Sequence, residues 1–170
     1  RRSVKGSLPS WIAEVLDSGK PAWLTETQQS DDLRDVAPRV IRPDLLMTEN
    51  GFALTELDAV PGGMGITGWL ARRYGAEGFR LLGGAEGMVE GFRSLMPSGG
   101  EVLISEESAD YRPEMDWLVK ALNQAGEEAW GIAAAETFQD TDSSAGLYRF
   151  FELFDWEAIP ALSALSRRLD

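Results

Sequence analysis

Histidine and cysteine are both missing from the 170 residues, and together the two absences remove much of enzyme chemistry. Without cysteine there are no disulfides, zinc–thiolate sites or cysteine nucleophiles. Without histidine there is no Ser-His-Asp triad, no histidine general base and no histidine metal ligand within the chain. Chemistry is left to carboxylates, lysines, arginines, hydroxyls and the backbone. Positive charge is scarce too: 16 Lys and Arg stand against 28 Asp and Glu, a formal net charge of -12. No nucleic-acid partner is expected at that charge. No apolar run is long enough to span a bilayer, so no membrane partner is expected. The opening Arg1-Arg2 and the polar stretch behind it do not read as a signal peptide, and cytoplasmic residence is compatible. There is no initiator methionine, no internal repeat and no low-complexity tract.

What is present describes a globular domain. Hydrophobic residues make up 44% and aromatics 9%, enough for one α/β domain over 1–170 with its own core. The end at Ser166–Asp170 reads as the tail of a helix, and the expectation is a fragment of a larger enzyme.

Periodicity predicts the elements. Trp11, Ile12, Val15 and Leu16 have helical spacing after Pro9, and Gly19 stops them. Asp31–Val36 reads as a short polar helix or turn before Pro38. Val40–Met47 and Phe52–Val60 read as two strands around Asn50-Gly51, a hairpin signal. Helices are predicted over Ile66–Tyr74 and, weakened by Gly87 and Gly91, over Ala85–Met96. Glu101–Ser105 is a strand with the apolar centre Val102-Leu103-Ile104. Pro113–Ala125 is the strongest helix, with Met115, Leu118, Val119 and Leu122 on one face, and Gly126 closes it. Ala129–Ala134 follows as a strand, so 101–134 is a βαβ unit whose strands should be parallel neighbours. Thr137–Ser144 is a polar loop, Leu147–Phe154 a further strand and Trp156–Leu165 a last helix. The predicted fold is α/β, one mixed sheet with helices on both faces.

The hairpin carries the chemistry. With a three-residue loop at Glu49-Asn50-Gly51, Thr48 faces Phe52, Leu46 faces Leu54 and Asp44 faces Glu56. Asp58 and Arg42 then share that face. A two-residue loop would shift the register by one and place Asp44 opposite Leu57 instead. Like charges opposed across a sheet cost roughly 0.2–1 kcal/mol, and a hard divalent cation such as Mg²⁺, held by Asp44, Glu56 and Asp58, would offset that cost. Arg42 would balance charge or hold an anionic substrate. The plainer reading is a solvated acidic strand end. Gly62, Gly63 and Gly65 then free the backbone just before a helix, where unpaired N–H groups suit a phosphate or carboxylate. They match no Walker or Rossmann fingerprint, and a simple tight turn is the alternative.

Arg42-x-Asp44, eleven residues and Glu56-x-Asp58 resemble the Arg-x-Asp … Glu-x-Asn motif of the glutathionylspermidine-synthase family of ATP-grasp ligases. The resemblance implies Asp44, Glu56 and Asp58 as ligands of the Mg²⁺ that holds ATP, with Arg42 as an anion contact. Asp58 stands where the family has Asn, and Pro61-Gly62-Gly63 replaces the family's substrate loop. The βαβ unit and Leu147–Glu157 are similar to the pre-ATP-grasp region of such enzymes. The implied reaction is ligation of a small or peptide carboxylate to an amine through an acyl phosphate. The nucleotide lobe is not seen: Lys5, Lys20 and Lys120 are the only lysines, so the isolated chain is not expected to turn over ATP. Such a lobe needs a further ~150 residues.

Other features have mainly structural readings. Glu106-Glu107 ends the Val102 strand, where α/β sheets keep ligands, but fits a polar loop as well. The six tryptophans read as packing residues. Phe150, Phe151, Phe154 and Trp156 form an aromatic cluster through which a homodimer is conceivable if they are exposed. The competing function classes are a non-catalytic α/β binding or assembly module and a flavodoxin-like small-molecule binder.

Overall fold

Pro9 and Pro21 each hold φ at −56° directly before a helix, the value that proline locks and a first turn accepts. A computed structural model describes residues 8–31, 33, 36, 39–58, 60–139, 146–152, 155 and 158–161. It divides the chain into two compact units, Arg1–Arg39 and Val40–Asp170. The first unit holds α1 (Ser10–Asp17) and α2 (Ala22–Gln29). Gly19 turns between them at φ +81°, and the Asp17 carboxylate accepts from Lys20 Nζ at 2.9 Å and from Gln29 Nε2 at 3.3 Å. Leu24 is buried. The sequence reading missed α2, whose Thr, Glu and Gln residues give no apolar periodicity. The short helix expected at 31–36 lies largely outside the described residues.

The second unit is α/β. It contains β1 (Arg42–Thr48), β2 (Gly51–Asp58), α3 (Met64–Ala76), α4 (Gly87–Leu95), β3 (Gly100–Ile104), α5 (Arg112–Ala125), β4 (Trp130–Ala134) and β5 (Gly146–Phe150). β3 pairs in parallel with β4, with α5 as the crossover, as the βαβ reading requires. β3 also pairs in parallel with β5, giving the order β4-β3-β5. Alternation along these strands sorts two cores. Val102, Ile104, Trp130 and Phe150 face Met64, Val89, Phe92, Met115, Leu118 and Leu122 of the helices. Leu103 points the other way, onto Ala135, Phe151 and Ile159, with Leu147 and Ala133 beside them. Asn123 of α5 closes the β4 edge: its side-chain amide donates to the Trp130 carbonyl at 2.9 Å, and its oxygen accepts from the Trp130 N–H at 3.0 Å.

Two expectations change. The strands form two sheets instead of one, because β1 and β2 pair only with each other. The helices that build the core, α3, α4 and α5, lie on one face of the parallel sheet. On the other face Ala135, from the 3₁₀ turn Ala135–Thr137, packs with Phe151 and Ile159. The last predicted helix, Trp156–Leu165, lies mostly outside the described residues. Phe150 and Phe151 are 3% and 1% exposed, so these two belong to the core and offer no dimer surface. Phe154 and Trp156 are outside the described residues.

Candidate functional site

The base of the hairpin pairs Arg42 with Asp58 and Asp44 with Glu56, the pairing on which the motif reading rests. The tip differs from expectation. Thr48 pairs with Gly51 across a two-residue turn, and Leu46 faces Ala53 instead of Leu54. The Thr48 hydroxyl holds this turn, accepting the Asn50 N–H at 3.3 Å and donating to the Gly51 carbonyl at 3.0 Å. Such a turn alone would leave Asp44 opposite Thr55, not opposite Leu57 as expected of a two-residue loop, because shortening the loop draws the facing strand toward its start. A bulge at Thr55 restores the register, and the Thr55 hydroxyl donates to the Asp44 carbonyl at 2.9 Å.

On that face Arg42 is the organising group. Its Nε donates to Asp44 Oδ1 at 3.1 Å, its Nη2 lies 3.2 Å from Asp58 Oδ2, and its Nη1 donates to the Gly62 carbonyl at 3.4 Å. Asp44's hydrogen bond, with the charges of Asp58 and Glu56 behind it, pushes Arg42 above its ordinary pKa. Asp58 also accepts the Val60 N–H at 2.8 Å, which fixes the start of the glycine turn.

These contacts bear on magnesium. The cation lying between Asp44 and Asp58 is the guanidinium, and among the described residues no three acidic side chains converge closely enough to hold a metal. As arranged, the three carboxylates do not form a complete Mg²⁺ nest, and an ion would compete with Arg42 for two of them.

The glycines divide by role. Gly63 takes φ +81° as the N-cap of α3, the left-handed backbone expected of this turn. Gly62 lies against Tyr111, whose ring would be 2.4 Å from an added Cβ. Gly65 is buried against the backbone of Glu114, whose carbonyl oxygen would be 2.3 Å from a Cβ. The Ile66 N–H donates to Glu114 Oε2 at 3.2 Å. A carboxylate of α5 thus sits at the start of α3, where an external anion was anticipated.

A cavity of about 240 Å³ opens beside Arg42. Arg42, Asp58, Val60 and Gly62 form one wall. Ser108 and Tyr111, between β3 and α5, form a second, and Phe150, Phe151 and Glu152 at the end of β5 complete it. The position follows from topology. The chain leaves β3 for β4 on one side and returns to β5 on the other, so β3 and β5 flank the switch point, and ligands of open α/β sheets bind outside the carboxyl ends of the strands there. Asp44 and Glu56 are not part of the lining. Nor are Glu106 and Glu107, which are exposed in the turn after β3. Ser108, Tyr111 and Glu152 were not foreseen. The available signal was their place just after the two central strands.

Tyr148 lies close to this site. Burial pushes its phenol up to about 12, with the Asp58 charge adding and the Arg149 charge opposing. The folded protein therefore holds a proton that the unfolded chain releases near pH 10, so stability is intact below pH 10 and declines as pH rises toward 12. Tyr148→Phe should flatten that decline, measured as urea midpoints between pH 9 and 12. An unchanged alkaline slope would assign the loss to other groups.

The sequence matches no family profile, no curated protein and no solved structure.

Proposed function

We propose that the chain is a ligand-binding α/β domain that receives a small carboxylate- or phosphate-bearing molecule beside Arg42, as the substrate side of an ATP-dependent carboxylate–amine ligase. The observation that carries this reading is the cavity at the carboxyl ends of β3 and β5 with Arg42 in its wall. Arg42 is suited to the task. A guanidinium offers five N–H donors in a rigid fork; Asp44 and the Gly62 carbonyl each hold one of them, and Asp58 pairs with the guanidinium charge. The fork is thus oriented before a ligand arrives, which lowers the ordering cost of binding. Ser108 and Tyr111 also line the cavity and carry hydroxyls. The ligase part of the proposal rests on the motif spacing at Arg42, Asp44, Glu56 and Asp58. In that reading Mg²⁺ and ATP belong to the complete enzyme, with phosphate oxygens supplying the ligands that these residues do not.

The test is a titration of the purified chain with pyrophosphate, acetate and glutamate, with and without Mg²⁺, followed by amide chemical shifts. Binding should perturb Ser108, Tyr111 and Gly62 at millimolar ligand. Arg42→Ala should weaken it about tenfold, the loss of one charge-assisted contact. Binding that is absent, or indifferent to Arg42, would remove the proposal.

A further inference from the structure

The two faces of the hairpin have opposite characters, and the apolar one carries an inference independent of the cavity. Because of the Thr55 bulge, Pro43, Leu45 and Met47 of β1 share a face with Leu57, Leu54 and Phe52 of β2. That face carries no charge. It is also uncovered: Leu45 is 55% exposed, Met47 79%, Phe52 71%, Leu54 56% and Leu57 58%. Large side chains carry on the order of 200 Å² each when open, so the patch amounts to about 600 Å². That is at or above the largest apolar patch of a typical monomer, roughly 300–600 Å². A two-stranded hairpin is marginal by itself and needs a third layer or strand.

We infer that this face is a homodimer interface, with two copies packing their hairpins face to face about a twofold axis. Area supports a second copy, since the patch with its rim approaches the roughly 800 Å² per partner of a standard interface. Charge supports it too. Each copy carries -12, yet this face brings no charged side chain against its mate, and Arg42, Asp44, Glu56 and Asp58 all point away. The same negative charge disfavours an anionic lipid surface. The mode is set by the strand edges. Pro43 removes an N–H from β1 and the bulge interrupts β2, two devices that block edge-to-edge pairing. Face-to-face packing of the two hairpins, about 10 Å apart as in a β-sandwich, is what remains.

The experiment is sedimentation equilibrium of the full chain from 1 to 200 µM. A reversible monomer–dimer equilibrium is expected, tightening as salt rises because screening relieves the mutual repulsion. Met47→Asp with Phe52→Asp should weaken the dimer by about a hundredfold or more, because four charges enter the symmetric contact. Leu46→Glu, on the opposite face, should leave it unchanged. Circular dichroism of each variant reports folding. A cysteine-free background allows a second reading that needs no destabilised variant: Met47→Cys should form disulfide-linked dimers on oxidation far faster than Leu46→Cys. A monomer throughout, a dimer insensitive to the aspartates or equally sensitive to Leu46→Glu, or equal cross-linking of the two cysteines would overturn the inference.

Discussion

Gly65→Ala should destabilise the α/β unit by about 2–3 kcal/mol in chemical unfolding, against about 1 kcal/mol for Gly63→Ala. The two glycines are two residues apart, and the larger effect belongs to the one with an ordinary φ. At Gly63 the cost is the left-handed backbone, which an L residue pays at roughly 1–2 kcal/mol. An added methyl there meets nothing within 4 Å. At Gly65 the methyl would lie 2.3 Å from the Glu114 carbonyl oxygen and 2.6 Å from its Cα. Backbone cannot rotate out of the way, so α3 must move off α5, an overpacking change that reaches the upper end of 1–3 kcal/mol. The gain in helix propensity from alanine, under ~1 kcal/mol, does not offset it. Were Gly65 instead kept free for an anion, Gly65→Ala would lose ligand and keep its stability, and unfolding midpoints would separate the two outcomes.

Leu118→Ala is expected to cost about 3–4 kcal/mol, the range for emptying a rigid core site. Leu118 is 0% exposed and sits among Met115, Leu122, Val102 and Ile104, all at 3% or less. Neighbours that well held cannot collapse into the space. Leu82→Ala is the matched control: Leu82 is fully exposed, and its loss should stay within about 0.5 kcal/mol. A loss at Leu118 no larger than the loss at Leu82 would mean that the helical layer is not packed on the sheet as described.

The parts of this fold that were legible in the sequence are those where local periodicity and burial agree. α5 shows its apolar face at Met115, Leu118, Val119 and Leu122, and those positions are buried. Val102-Leu103-Ile104 is apolar on both sides because both faces of β3 are covered. β5 was legible as a strand, but its place beside β3 was not. Nothing local says which side of the sheet a chain takes after β4, and that choice creates the cavity.

The hairpin shows the same limit at finer scale. The base register expected from a three-residue loop is the one observed, but a two-residue turn and the Thr55 bulge produce it. The tip was not readable, because strict alternation in β2 would put Phe52, Leu54, Glu56 and Asp58 on one face. The bulge separates the first two from the last two. The glycine turn was readable as backbone freedom at Gly63. The carboxylate that meets Ile66 comes from Glu114, 48 residues away, and no local pattern announces it. Arg42 was expected beside Asp44, either balancing charge or holding an anion, and its ion pairs with Asp44 and Asp58 match the first of these. Its contacts to Asp58 and to the Gly62 carbonyl, 20 residues away, carry no local signal.

Eleven residues separate Asp44 from Glu56, and two arrangements use that number equally well. One has a two-residue turn and a surplus residue at Thr55, as observed. The other has a three-residue turn and no surplus. Sliding the extra residue from Thr55 to Gly51 would roll Phe52 and Leu54 over to the acidic side while Arg42, Asp44, Glu56 and Asp58 stayed in register. The spacing is therefore compatible with two registers that share a root and differ at the tip, and the hairpin holds the one that keeps Phe52 and Leu54 off the acidic side. A contact that covered Phe52 and Leu54 would favour the observed register and leave the pairing of Arg42 with Asp58 and of Asp44 with Glu56 unchanged.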